Sequence, residues 1–453
     1  MIKVLISLYL VCLASFIQAQ GIFRLLKNQP QSFKFEVINN AVLVPVVING
    51  MTLTFLLDTG VKETILFALA NDTRYLHNQN KISFRGFGIG KDIEGILSTG
   101  NIVTVGGVAI DTLHSVYVVQ AHDLDIASDI GTAVNGILGS KFFNSFPIRM
   151  NYPKSTITIY PPGYNYERKF RKHRITNVEI ENDRPYIQAQ VQFGQTWTEG
   201  KFLIDMGNTD ALMLFPFAIP NFSVSAPYVD EYLGRGFNGP IHGKRNRARR
   251  VAIGEFTLDY PIVAYPESNT ISADRLVENR SGSVGNQTLQ RFDILFDFAK
   301  ERVYWKKNKW FRKPFLLNMA GMDVKHDGMI WVRELAPVPK KVEKKTPSFG
   351  GDNGITIHFT NDHFQYNFAL KSQFKISGIR KNSPAEQAGV LPEDQLLKIN
   401  GTSVTNLTLA KIMDKLQSQP GDEIRLELMR NDEIIKTRFR LVDPIPYRAG
   451  DLL

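Results

Sequence analysis

Between about residue 33 and residue 310 the apolar residues come in short runs, β-branched or alternating with polar ones and cut by Gly, Asn and Asp. That texture predicts short, mostly antiparallel strands joined by tight turns. Few stretches before residue 316 carry a helical period. One strand breaks the pattern. FLLDTGVKETIL, residues 55–66, runs from Leu and Phe straight into Asp58 before turning apolar again. A buried carboxylate is costly unless it is paired, hydrogen-bonded or protonated. Asp58 therefore stands either at a strand end in water or in a site that holds it.

After Trp310 the pattern changes. PVPKKVEKKTPSFGGDNG, within 311–354, is rich in Pro, Lys and Gly and reads as a linker or long surface loop. A compact unit is expected from about 355 to 443. In NSPAEQAGV, Ser383 is placed to cap a short helix, Pro384 to open it, Glu386 to close a capping box and Gly389 to end it. LLKINGTSV reads as a hairpin turning at Asn400-Gly401. LTLAKIMDKLQ, 407–417, has helical spacing of Leu409, Ile412, Met413 and Leu416, and IRLELMRNDEIIKTRFRLV reads as two strands.

The chain is also repeated internally. FLLDTGVKETILF has a counterpart in FLIDMGNTDALMLF, residues 202–215, with Asp58 and Asp205 147 positions apart. RGFG at 85–88 answers RGFN at 235–238, and VGGV at 105–108 answers IGEF at 253–256. GILGSKFFNSFPIRMNY from 136 answers GSVGNQTLQRFDILFDF from 282, and NNAVLVPVVINGMTLTF answers NDRPYIQAQVQFGQTWTEGKF. A lone D-x-G means little, since Asp and Gly favour turns everywhere. Landmarks in register over some 130 residues imply two copies of one β unit. Packed about a pseudo-twofold axis, the copies would bring the two carboxylates together to share a proton. Such a pair suits general acid–base work: one carboxylate deprotonates a water while the other protonates a carbonyl. Gly60 and Gly207 would let backbone approach the acids closely.

Composition narrows the reading. With 43% hydrophobic and 22% charged residues the chain is globular, and 453 residues suggest about three domains. Residues 1–20 read as a secretory signal peptide cleaved near Ala19, with an uncleaved anchor as the alternative. No other run approaches membrane-spanning length. Cys12, inside that leader, is the only cysteine, so no disulfide or thiol chemistry is expected in the mature chain. The net charge of +10 sits in YERKFRKHR (166–174), GKRNRARR (243–250) and PKKVEKK (339–345). Without aromatic interleaving or a nucleic-acid motif, these runs are read as solvated loops and a linker. Eight histidines form no H-E-x-x-H, no G-x-S-x-G occurs, and RGFGIGK lacks the first glycine and the Ser or Thr of a phosphate loop.

LLDTGVKETIL closely resembles the active-site segment of retropepsin-like aspartic proteases, and GILG at 136–139 resembles the apolar-apolar-Gly element behind the catalytic loop of that family. The resemblance covers about 33–310 and implies a pepsin-style fused pair of lobes. It further implies Asp58 and Asp205 as catalytic dyad, supported by Thr59, Gly60, Met206 and Gly207, with Gly86, Phe87 and Gly88 in a substrate flap. The second motif departs from the family, with Met206 where Thr or Ser stands. A thioether cannot donate a hydrogen bond, so one side of the support is missing while the carboxylate is intact; Asn208 or Thr209 is the candidate to rescue it, and a chain that only binds peptide is the alternative. SPAEQAG followed by LLKINGTSV resembles PDZ domains of bacterial envelope proteases. That likeness implies a peptide groove between FKISGI (374–379) and the 407–417 helix, lined by Phe374, Ile376, Ile379, Ile412 and Leu416, with YNFALKS as a carboxylate-binding loop. A role as a mere packing module is the alternative.

The expected fold class is mainly β: a bilobal acid-protease fold of two similar antiparallel lobes plus a small α+β PDZ domain. The expected segments are a signal peptide (1–20), lobe 1 (21–163), lobe 2 (164–315), a linker or PDZ lead-in (316–354), the PDZ domain (355–443) and a tail (444–453). The expected function is an aspartic endopeptidase without metal or other cofactor, exported to the periplasm or beyond. Its expected partners are a polypeptide substrate and a peptide at the PDZ domain, with no nucleic acid. The expected state is a monomer with internal pseudo-twofold symmetry. The alternative is a non-catalytic peptide-binding pseudoprotease. Carbohydrate binding has no support beyond four Trp and many Tyr.

Overall fold

The computed structural model describes residues 21–68, 73–84, 93–120, 130, 132, 134–236, 239–268, 270–271, 276–335, 358–361 and 364–446. Two compact units emerge, one holding most of the chain up to Phe315 together with the residues after Asp443, the other spanning Leu316–Asp443. Among the described residues no helix is long and apolar enough to cross a membrane.

The first unit is built twice from the same wiring. In the first copy β1 (Gln31–Lys34) precedes β2 (Ala41–Ile48), which turns through Asn49-Gly50 into β3 (Met51–Leu57). Both turn residues have positive φ, 46° and 90°, the backbone that a two-residue hairpin needs and that Asn-Gly supplies. After the Asp58 loop, β4 (Thr64–Ala68) leads on to β5 (Gly136–Leu138). β5 lies parallel to β3 and antiparallel to β4. The helix α1 (Ser140–Asn144), β6 (Ile148–Asn151) and β7 (Thr156–Ile159) complete the copy.

The second copy repeats each step. It comprises β8 (Arg174–Asn177), β9 (Arg184–Phe193), β10 (Thr196–Asp205), β11 (Leu212–Leu214), β12 (Arg280–Gly285), α2 (Asn286–Leu289), β13 (Phe292–Asp297) and β14 (Arg302–Lys307). β12 again runs parallel to the Asp-bearing strand, β10, and antiparallel to β11. Backbone proximity explains the glycines that recur here. A methyl group on Gly139 would lie 2.6 Å from both Val61 O and Lys62 O and would strike Glu63 O. On Gly285 it would lie 2.7 Å from Asn208 O and strike Asp210 O. Each Asp loop is thus backed by a chain that only glycine lets through.

A six-stranded sheet carries members of both copies in the order β8-β14-β13-β6-β7-β1, the two halves meeting where Ile148 pairs with Phe296 and Met150 with Ile294. Equivalent strands stand at equal distances from that junction. The expected fold class, mainly β with two similarly wired lobes and a small α+β domain, is the one observed.

The basic run 243–250 departs from the solvated loop expected of it. Most of it lies in strands Gly239–Arg247 and Arg250–Ile253. The Arg245 guanidinium is buried against Glu231 (2.6 Å) and Asp210 (2.9 Å), and Arg247 Nε donates to Ile445 O at 3.0 Å. Arginines read as solvent-facing charge are therefore internal ties. In the run 166–174 a short helix, Glu167–Phe170, buries Phe170 beneath Tyr160 and Tyr304. The run 339–345 lies outside the described residues.

The second unit is one sheet, β15 (Met322–Leu335), β16 (Phe364–Ile379), β17 (Gln395–Ile399), β18 (Glu423–Arg430) and β19 (Glu433–Arg440), in that order, with α4 (Leu409–Leu416) against it and α3 (Pro384–Gln387) beside it. Ser383 Oγ accepts the Glu386 N–H at 3.2 Å, as expected of the cap. The Glu386 carboxylate takes the N–H of Asn382, one residue before the cap, so the box closes one position early. Gly389 ends the helix at φ 77°, and Asn400-Gly401 turn at 51° and 78°. Met319, Ala320 and Met322 lie in this core, so the lead-in supplies a strand and part of the packing.

Candidate active site

Asp58 follows β3 and Asp205 ends β10, and the loops behind them interlock. Thr59, fully buried, reaches from the first copy into the second: its Oγ1 donates to Ile204 O at 2.6 Å and accepts the Met206 N–H at 3.0 Å. The reverse contact has no donor. Met206 is wholly buried, and its thioether has no hydrogen to donate. Asn208 does not substitute for it. The Asn208 side-chain oxygen accepts the Asp210 N–H at 3.0 Å, and its Nδ2 is buried without a partner. The backbone N–H of Asn208 instead donates to Asp205 Oδ1 at 3.1 Å.

Gly60 and Gly207 sit between the acids. A methyl group on Gly60 would lie 2.8 Å from Asp205 Oδ1 and 3.1 Å from Asp58 Oδ1. Two oxygens within 3.1 Å of one point belong to one site. On Gly207 the same group would lie 2.7 Å from Asp58 Oδ1 and strike Oδ2. Each glycine thus faces the aspartate of the other copy. Gly60 N–H donates to Asp58 Oδ1 at 2.6 Å, and Asp58 N–H to Leu138 O at 3.0 Å.

Burial and then the neighbouring Asp205 push the Asp58 carboxyl up to about 7, against the downward pull of the Gly60 and Gly207 N–H groups and of Arg184. A carboxyl that is half protonated near neutrality beside a second carboxylate has the character of an acid–base pair. Sequence reasoning missed Arg184. The one signal was its repeat equivalent, Ala41, which carries no charge.

Gly86, Phe87 and Gly88 lie outside the described residues. The strands leading to them, Gln79–Phe84 and Ile93–Val105, pair as a hairpin stem. Among the described residues no cluster of three or more His, Cys, Asp or Glu side chains is placed to hold a metal ion.

The groove expected in the second unit is corrected by the sheet order. β16 is not an edge strand: β15 covers its outer side and packs against α4. Phe374, Ile376, Ile412 and Leu416 consequently meet in the core, and Ile379 packs on its margin. YNFALKS, expected as a carboxylate-binding loop, is a stretch of β16 paired along β15. The loop preceding β15 is closed on itself. Met319 N–H donates to Leu416 O at 3.0 Å, Gly321 N–H to Asn318 Oδ1 at 3.1 Å, and Asn318 Nδ2 to Met322 O at 2.8 Å.

Comparison with known proteins supports part of this picture. A PDZ-domain family model matches residues 375–430. The chain is 40% identical over 50 residues to the carboxy-terminal processing protease CtpA of Bacillus subtilis (strain 168), which covers 11% of each protein. It is 34% identical over 62 residues to a probable CtpA-like serine protease of Staphylococcus saprophyticus, 14% of this chain and 13% of the other. The matches to curated relatives thus span only about a tenth of their length, 11% in the case of CtpA. Among solved structures, the aspartic proteinase from Irpex lacteus aligns over 63% of this chain and 99% of its own, with a TM-score of 0.40 and 15% identity. The reading of the first unit rests on its strand wiring, not on that likeness.

Proposed function

We propose that this chain is an aspartic endopeptidase in which Asp58 and Asp205 share a proton and activate a water against a peptide carbonyl. The ionised carboxylate takes the water proton while the protonated one donates to the carbonyl oxygen, so charge does not accumulate on either partner. The observation that carries the reading is that both Oδ1 atoms lie within 3.1 Å of the space a methyl group on Gly60 would fill. Thr59 holds the two loops in register, and the matched order of strands in the six-stranded sheet fits a pseudo-twofold relation between the lobes. The leader at 1–20 would export the protein to the periplasm or beyond, which N-terminal sequencing of the mature chain would check.

In this reading the PDZ domain takes an extended peptide by strand addition along the outer edge of β15, the strand that pairs on one side only among the described residues. The test of the catalytic claim is cleavage of unfolded casein between pH 3 and 8 by the wild type, Asp58→Asn and Asp205→Asn. Loss of cleavage in both variants supports it; wild type without activity, or variants as active as wild type, defeats it. The second reading, a peptide binder without catalysis, is favoured by buried Met206, which leaves half of the hydrogen-bonded support without a donor.

A further inference from the structure

The two copies differ most in the layer of side chains beside the acids. The first copy has Ala41 and Leu43 on β2, Val134 just before β5 and Ile137 within it, an apolar set. At the matching places the second copy has Arg184 and Tyr186 on β9 and Arg280 and Ser283 on β12. Four apolar positions have become two guanidiniums and two hydroxyls, all on the Asp205 side.

Register shows where they point. Tyr186 pairs with Leu203, so continuing the ladder by two residues sets Arg184 against Asp205, as Ala41 is set against Asp58 in the first copy. Arg184 Nε is buried without a hydrogen-bond partner. Arg280 is only 4% exposed; its Nε donates to Gly282 O at 3.2 Å and its Nη2 to Ser283 Oγ at 2.8 Å, with the guanidinium 5.2 Å from the Phe215 ring. Among the described residues neither arginine makes an ion pair. The other cation on this face, Lys201, is held by Glu179 at 2.8 Å and by Glu181, and stands over the Tyr186 ring. Asp205 faces Arg184 across the ladder and answers the charge of Arg280, while Arg184 also acts on Asp58. A buried guanidinium without a facing anion is strongly unfavourable, so the layer selects the ionised form of Asp205. The charged and titratable groups around the pair are therefore Asp58 from the first copy, Arg184 and Tyr186 from β9, Lys201 from β10 and Arg280 from β12.

We propose that Arg184, backed by Arg280, is a positioning residue that keeps Asp205 ionised, so that the proton of the pair is carried by Asp58. This rests on the reading of the two aspartates as a hydrolytic pair and assigns their roles: Asp205 takes the proton of the water, Asp58 donates to the carbonyl oxygen. Burial and Asp205 raise the Asp58 carboxyl in spite of the opposing pull that Arg184 exerts on it as well. Burial also pulls the Arg280 guanidinium down while Asp205 holds it up.

The test is a carboxyl carbon NMR titration of the full chain labelled at aspartate, for wild type, Arg184→Gln and Arg184→Lys, alongside the pH profile of casein cleavage. In the wild type the higher titration step belongs to Asp58. Loss of the cation in Arg184→Gln moves both steps of the pair upward by on the order of one pH unit and carries the pH optimum with them. Arg184→Lys keeps the cation and titrates within about half a pH unit of the wild type, which a purely structural role for the side chain does not predict; if the glutamine variant does not fold, a displacement of about one unit or more in Arg184→Lys overturns the proposal. Assignment of the higher step to Asp205, or a titration unmoved in a folded Arg184→Gln, overturns the proposal. A titration that moves in a wild-type background without any cleavage leaves the electrostatic assignment standing and defeats the hydrolytic reading instead.

Discussion

Thr59→Val tests the one-sided lock between the loops. The hydroxyl satisfies two buried backbone groups at once, Ile204 C=O at 2.6 Å and Met206 N–H at 3.0 Å. Valine has nearly the shape of threonine, so no cavity term enters, but both backbone groups lose the hydroxyl that meets them. A buried donor or acceptor left unsatisfied costs about 1–3 kcal/mol. Two of them amount to about 2–6 kcal/mol. Because Met206 offers no reciprocal bond, nothing on the other side limits the loss. A chain of two units does not unfold in a single transition, so the assay is amide hydrogen exchange at residues 204–207. At about 1.4 kcal/mol per factor of ten, protection there is expected to fall roughly 30-fold to about 20,000-fold. Thr59→Ser keeps the hydroxyl and gives up a methyl group, a loss of about 1 kcal/mol. Protection in Thr59→Val within threefold of wild type would refute the reasoning, since the hydroxyl would then not be holding the loops together.

Asp58 predicts a pH dependence of stability. Its folded carboxyl is raised from 3.8 to about 7, so the folded state binds the proton more tightly than the unfolded one. Stability from this group is unaffected below about pH 4 and declines by up to about 4 kcal/mol as pH rises to 7; Asp58→Asn should remove that decline, and urea midpoints at pH 4 and 8 that fall in parallel for both proteins would contradict it. Gly139→Ala drives a methyl group against three carbonyl oxygens of the backbone, with no flexible side chain to yield. A loss of about 3 kcal/mol or more is expected in amide hydrogen exchange around α1 and β5, and protection equal to wild type there would contradict the clash. In the PDZ domain the loop before β15 has its Met319 and Gly321 N–H groups already bonded. Peptides offered to the full chain as free acids and as C-terminal amides should therefore bind equally in fluorescence anisotropy; a tenfold preference for the acid would show that the loop opens to a chain end.

Much of the architecture was legible because it is written twice. The D-x-G loops and the GILG and GSVG strands that back them recur in register, and a glycine that must pass close to the carbonyls of the Asp loop, three for Gly139 and two for Gly285, leaves the same mark in both copies. Hairpins at Asn49-Gly50 and Asn400-Gly401 were legible for a local reason, since two consecutive residues at positive φ admit few sequences. Other features depend on contacts that no local pattern records. Arg245 looks like one more cation in a basic run until strand pairing brings Glu231 and Asp210 to it. Arg184 and Arg280 are nearly 100 residues apart, and only strand pairing brings them to β10, Arg184 in line with Asp205 and Arg280 opposite Lys201. The groove was placed one strand too far in because the lead-in at 316–335 carries Asn, Asp and Gly signals of a loop, whereas pairing with β16 makes most of it an edge strand. Residues 444–446 likewise return to the first unit through Ile445, whose burial no feature of a short tail announces.

The separation of the two carboxyl groups is the most direct measurement of the central claim. In a crystal structure of the wild type, the account predicts an Asp58 and an Asp205 oxygen within hydrogen-bonding distance, about 3 Å. Carboxyl groups far beyond that reach, or turned toward different faces of the protein, would contradict a shared proton and leave no means of activating the water.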